Sequence, residues 1–287
     1  MLIVFALGAA LLYGSADFLG GAATRRAALF GVLLTSGIAG VAVLLPAALL
    51  AGGPLRPAAI GWGLLAGGIG GIGLMFFYAG LAAGPMSVVS PVSALVSTVL
   101  PVGAAVAQGE RPGVGVYIGA VLCLGATVLV SSNSPAAKDA AGPGWRRQAR
   151  GVAYGLAAGA AFGLFFLFMK NGGESGAALW PAFAARCAGL IVYLAAAVVM
   201  RAAPVSWRSS GWPLFAAALG AGGLDAIANV CYVLATRAGL FGPAVVLTSL
   251  YPAVTVLLAR VALRERMHRT QQAGLLLAAV GIALITG

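Results

Sequence analysis

The chain has 287 residues, of which 61% are hydrophobic and only 8% charged, and its mean hydropathy is +1.03. Soluble domains are roughly half apolar and about one-quarter charged, so a water-soluble fold could not cover itself with these residues. The net charge of +11 does not point to nucleic acid, because the 17 Lys and Arg stand in short clusters between apolar runs, with no aromatic-interleaved basic face. They read as charges that set membrane topology.

Ten apolar runs follow one another, each long enough to cross a ~30 Å hydrocarbon core at about 17–25 residues, with Gly, Pro or charge between them. They cover Leu2–Leu19, Leu29–Ala51, Ile60–Ala83, Met86–Gln108, Val114–Val130, Val152–Met169, Ala177–Met200, Trp212–Leu234, Phe241–Leu263 and Gln271–Ile285. The first lacks a basic start and carries Asp17, which makes it a spanning helix and not a cleavable leader. The 43 glycines suit membrane helices, where small residues let backbones approach closely. Cys123, Cys187 and Cys231 lie deep in apolar runs without CxxC spacing, so they are expected to be structural thiols, and neither a metal nor a cofactor is expected.

Polar side chains inside such helices are costly, and those that persist usually face a bundle interior or a wet cavity. In helix 1, Tyr13 and Asp17 share a face. Tyr13 is a cavity candidate, whereas Asp17, near the expected helix end, is open to a structural role with Arg25 or interfacial water. Phe77 and Tyr78 in helix 3 offer aromatic faces to a substrate or to the core. Helix 4 carries Ser90, Ser93 and Ser97 with Pro91 and Pro101, and helix 9 answers with Thr248, Tyr251, Thr255 and Pro252. Proline kinks a helix and frees carbonyls, so these two helices are candidate moving elements, their hydroxyls serving either a substrate or cross-helix bonds. Gly63, Gly67 and Gly71 in helix 3, and Gly151, Gly155, Gly159 and Gly163 in helix 6, form ladders for close packing. In helix 8, Asp225, Asn229, Tyr232 and Thr236 make one polar stripe. Asp225 there either holds a substrate ammonium or a coupling proton, or is a salt bridge to Arg186 that locks helices 7 and 8. Glu110 and Glu265, each beside an Arg at a helix end, are capping or gating residues.

The one sizeable polar linker, 131–150, separates five helices from five, giving a first repeat at 1–130 and a second at 151–287 of one membrane domain. Sliding the chain by 155 residues places Gly84, Glu110, Arg111 and Gly119 on Gly239, Glu265, Arg266 and Gly274 without a gap. Tyr13-Gly14 matches Phe162-Gly163 at a slightly different offset. Five is odd, so the second repeat enters the membrane from the opposite face. The expected fold is an all-α integral membrane protein with ten transmembrane helices in two inverted-topology five-helix repeats, the arrangement of many secondary transporters. Odd-numbered loops and helix ends hold twelve Lys and Arg against Arg56, Arg111, Lys170, Arg186 and Arg237 on the even side, which puts the odd loops in the cytoplasm and both termini outside.

The ten helices in two repeats, the aromatic-Gly pair in helix 1, and Gly109-Glu110-Arg111 and Arg264-Glu265-Arg266 after helices 4 and 9 resemble the EamA branch of the drug/metabolite transporter superfamily. Within it the chain looks most like the bacterial amino acid exporters, including the aromatic amino acid type. The resemblance implies a multi-pass protein of a bacterial inner membrane that exports small metabolites by alternating access without ATP hydrolysis. It further implies a central cavity built from helices 1, 3, 4, 6, 8 and 9, and termini in the cytoplasm, opposite to the charge count. The expected partners are a small-molecule substrate and membrane lipid, not nucleic acid, and a monomer completes the pseudo-symmetric unit. An enzyme is not expected: one His and six acidic residues leave little to build a catalytic cluster from, and a passive channel would call for a ring of like polar residues.

Overall fold

A computed structural model of the chain describes residues 1–24, 26–83, 86–132, 144–174, 179–202, 211–251, 253–255, 257–258 and 269–286. In chain order the helices are α1 (Leu2–Thr24), α2 (Leu29–Ala51), α3 (Pro57–Ala83), α4 (Met86–Ala107), α5 (Val114–Ser132), α6 (Gly144–Glu174), α7 (Trp180–Val199), α8 (Trp212–Arg237), α9 (Phe241–Thr248) and α10 (Arg269–Thr286). Among the described residues there is no strand. Among the described residues six helices, α1, α2, α3, α6, α7 and α8, are long and apolar enough to cross a membrane. The other four are shorter or carry shorter apolar stretches, Val92–Ala107 in α4, Val114–Ala126 in α5 and Gln272–Leu284 in α10, and α9 has eight residues.

Several ends differ from the sequence reading. α1 runs on to Thr24, so Asp17 lies about two turns inside it and not at its end. The linker expected at 131–150 is narrowed from both sides, because α5 reaches Ser132 and α6 begins at Gly144. The run expected over Phe241–Leu263 breaks after Thr248: Ser249 and Leu250 form a turn, and helical backbone resumes at Tyr251. A proline at 252 has no N–H for the carbonyl of residue 248, four positions back, which accounts for a break at that place.

The outer face is apolar, with Val4, Ile38, Val121, Ile191 and Leu276 all exposed, as expected where lipid and not water is the neighbour. The inside is held mainly by small residues. Gly155 and Gly159 of α6 lie on α4, where an added Cβ would stand 2.9 Å from Val92 Cβ and 2.6 Å from the Ser93 carbonyl oxygen. Gly67 of α3 lies on the Ala185 carbonyl of α7. The glycine ladders therefore pack helices, as their spacing predicts.

Contacts between helices keep their pattern when helix n is exchanged for helix n+5. α3 lies along α6 as α1 lies along α8, α3 along α7 as α2 along α8, and α4 along α6 as α1 along α9; α2–α7, α4–α9 and α5–α10 pair with their own counterparts. The glycine contacts repeat too. Gly222 of α8 meets the Ser36 carbonyl of α2 as Gly67 meets Ala185, and Gly14 of α1 lies on Tyr251 and Val254 as Gly163 of α6 lies on Leu100 and Pro101.

Candidate functional site

A cavity of about 90 Å³, measured to water centres, opens between α1, α3, α6, α7, α8 and the turn after α9. One water needs roughly 10–15 Å³ on this measure, so there is room for several waters or part of a small organic molecule. Tyr13 and Asp17 enter it from α1, and Phe162, Phe165 and Phe166 from α6. Arg186 and Tyr193 reach it from α7, Asp225 and Asn229 from α8, and Tyr251 from beyond the break. Gly67, Gly70, Gly71 and Gly189 leave its wall bare where α3 meets α7.

Helical spacing explains which side chains converge. Residues 182, 186, 189 and 193 fall at i, i+4, i+7 and i+11 on one face of α7, and 162, 165 and 166 at i, i+3 and i+4 on α6. Arg186 forms an ion pair with Asp225. Asn229 Nδ2 donates to the Asp225 carboxylate at 3.2 Å and to its backbone carbonyl at 2.8 Å, which fixes the acid's orientation. The Arg186 stem lies across Gly40 of α2. Tyr13 sits edge-on to both Phe166 and Tyr251, with ring centroids 6.3 Å apart in each case, and its hydroxyl, buried, makes no hydrogen bond.

Of the side chains expected in a cavity, Tyr13, Asp225, Asn229 and Tyr251 line it, and six others do not. Tyr232 is fully buried and donates its hydroxyl to the Phe166 carbonyl at 3.0 Å, because the stripe from Asp225 turns inward toward α6 by that point. Phe77 is buried against Phe162, and Tyr78 places its hydroxyl on Gly20 of α1. Ser93 and Ser97 are fully buried where α4 presses on α6 and face the Tyr251 hydroxyl. Ser97 Oγ donates to the Ala94 carbonyl at 3.1 Å, while Ser93 Oγ makes no hydrogen bond of good geometry. Thr248 is buried too, its hydroxyl without a hydrogen bond. Helix α4, expected in the cavity wall, is replaced there by α7. The Ser90 and Pro91 side chains, and Arg25, Pro252 and Glu265, lie outside the described residues.

Residues read as structural or gating divide as well. Pro101 is buried against Gly163. Asp17 and Arg186 line the cavity. Asp17 stands inside α1 and makes no hydrogen bond or ion pair among the described residues, which do not include Arg25, the partner expected for it. Glu110 is a cap, but on a distant helix: its two carboxylate oxygens accept from the Phe241 and Gly242 amides at 2.9 and 3.0 Å, tying the chain after α4 to the start of α9. Beside it Lys170 Nζ of α6 donates to Gln108 Oε1 at 3.1 Å and lies 4.7 Å over the Phe241 ring.

The sequence reading missed Phe162, Phe165, Phe166 and Tyr193, although their helical spacing was visible. No three His, Cys, Asp or Glu side chains converge among the described residues.

Nothing among the curated proteins matches the chain. A solved structure described only as "Crystal structure of protein" is similar over 99% of this chain and 96% of that one, with a TM-score of 0.77 at 20% identity, and shows that this fold occurs in a crystal. The model of the EamA-like transporter family matches residues 1–132 and again 149–287. The chain therefore belongs to the EamA-like transporter family, membrane transporters of the drug/metabolite superfamily.

Proposed function

We propose that the chain is a secondary carrier that exports amino acids or related small metabolites across a bacterial inner membrane by alternating access, with the cavity as its substrate site. The observation that carries this reading is the composition of that cavity. Inside a bundle with an apolar outer face, two acids, an arginine and an asparagine gather at one place, lined from both sides of the linker. Charges at such depth are expensive and mark substrate or ion pathways. The exchange pattern of the helix contacts supports two repeats, 1–130 and 151–287. Repeats of five helices are inverted in the membrane and rock about a site between them. A monomer is sufficient for that cycle. The alternatives are an exporter of drugs or other metabolites by the same route, and a passive channel.

Purified protein in proteoliposomes, given radiolabelled amino acids in a counterflow assay, tests the reading. Saturable exchange is expected. Uptake that never saturates and shows no counterflow would mean a channel, and exchange confined to non-amino-acid compounds would move the substrate class.

A further inference from the structure

Three charged side chains line the cavity, and two of them already answer each other. Arg186 and Asp225 are paired, and Asn229 donates to the Asp225 carboxylate at 3.2 Å. Asp17, on α1, has neither a hydrogen bond nor an ion pair among the described residues, and among them Arg186 is the one basic side chain that lines the space. With Arg186 and Asp225 answering each other, Asp17 is the acid that the described lining leaves for a cation, and a bound cation would hold it ionised. The rest of the wall is aromatic: Tyr13, Phe162, Phe165, Phe166, Tyr193 and Tyr251. Ring faces attract a cation and repel an anion, and the attraction grows where water is excluded.

A zwitterion gains little here. Its carboxylate could reach a cation in the described lining only by taking Arg186 from Asp225, which would exchange one ion pair for another and leave Asp225 stranded in place of Asp17. A substrate with one positive charge and no carboxylate meets Asp17 without disturbing the pair, and its body rests on the rings. We infer that Asp17 holds the substrate's charge, and that the substrate is an organic ammonium monocation with an aromatic or branched apolar body, such as an amine or an amino-acid amide, in preference to the free amino acid. This rests on the carrier reading and narrows its substrate class.

The test uses compounds that share one benzyl body and differ in charge: phenethylamine and phenylalanine amide as monocations, phenylalanine as zwitterion, and phenylpropionate as anion. Binding to the full chain in nanodiscs is measured by calorimetry, and counterflow in proteoliposomes is measured beside it. Both monocations are expected to bind at least about tenfold tighter than phenylalanine, with no binding of phenylpropionate, that factor being the worth of one charge-assisted hydrogen bond. Asp17→Asn should remove the preference and Asp17→Glu should keep it, each shown folded by gel filtration. Phenylalanine binding as well as its amide overturns the inference, as does a folded Asp17→Asn that keeps the preference, or no monocation binding at all. Asp17-dependent binding without counterflow would sustain the inference and defeat the carrier reading, whereas counterflow of phenylalanine alone would do the reverse.

Discussion

Arg186 lies across Gly40: its Cδ is 2.7 Å, and its Nε 2.9 Å, from where a Cβ on residue 40 would stand. The guanidinium is held at its far end by Asp225, so the side chain cannot simply swing away. Gly40→Val should push it out of the cavity wall, with overpacking worth about 1–3 kcal/mol. The expected result is a lower unfolding temperature together with weakened transport, while Gly61→Val on α3, where a Cβ would meet nothing within 4 Å, changes neither. Thermal unfolding in detergent and counterflow in proteoliposomes measure both.

The ion pair itself has two possible uses, and a double substitution separates them. Asp225→Asn alone leaves a half-buried guanidinium without its acid, a loss below the about 3–5 kcal/mol of a fully buried pair because this one is partly open to the cavity. Arg186→Gln with Asp225→Asn removes both charges and should recover most of that stability. A pair that only locks α7 to α8 would leave transport intact in the double variant. A pair that shapes the substrate site, as the cavity lining supports, predicts a stable protein with transport largely lost.

Gly67 and Gly222, 155 residues apart, each place a helix directly on a backbone carbonyl, of Ala185 and of Ser36 respectively. Backbone yields far less readily than a flexible side chain. Gly67→Ala and Gly222→Ala should therefore both be severe, each losing several kcal/mol or failing to accumulate, beyond the usual ~1–3 kcal/mol of overpacking. Gly68→Ala, one position along and facing open space, should be tolerated. Expression level and unfolding temperature for the three variants decide the point; equal effects at 67 and 68 would sink the packing account.

Glu110, after α4, satisfies two orphan amides at the start of α9, 131 residues on in the chain. Glu110→Ala should lose about 0.5–2 kcal/mol, the usual worth of a helix cap, and Glu110→Gln, which keeps an acceptor but no charge, should lose less. If the contact also opens and closes during the cycle, Glu110→Ala will change the exchange rate by more than its stability loss explains. Unfolding curves and initial counterflow rates on the same preparations distinguish the two.

The apolar runs, the glycine ladders and the match of Gly84, Glu110, Arg111 and Gly119 to the second half are legible because periodicity and spacing are written along the chain. Residue-level placement in the cavity could not. Whether Ser93 faces a substrate or a neighbour depends on the rotation of α4, and the glycine face of α6 draws the serine side of α4 into a dry contact. Arg186 was read as one half of a lock because sequence gives its partner but not the space beside it. The α9 break shows the mixed case, since Pro252 announced a disturbance while only the fold locates it after Thr248.

Orientation gives the last prediction. By sequence the even side carries five basic residues, but three of them are tied into the bundle. Lys170 bonds to Gln108 and lies 3.7 Å from Glu174, Arg186 pairs with Asp225, and Arg237 donates to the Gly173 carbonyl. Charges spent on internal contacts are not free to meet the cytoplasmic lipid surface, which leaves Arg56 and Arg111 of the even-side five and keeps the positive-inside reading toward the odd side. A lone cysteine replacing Ser134 in otherwise cysteine-free protein should then be protected from a membrane-impermeant maleimide in intact cells, and one replacing Pro112 should react. Labelling at 134 with protection at 112 would place both termini in the cytoplasm and overturn the orientation read from loop charge.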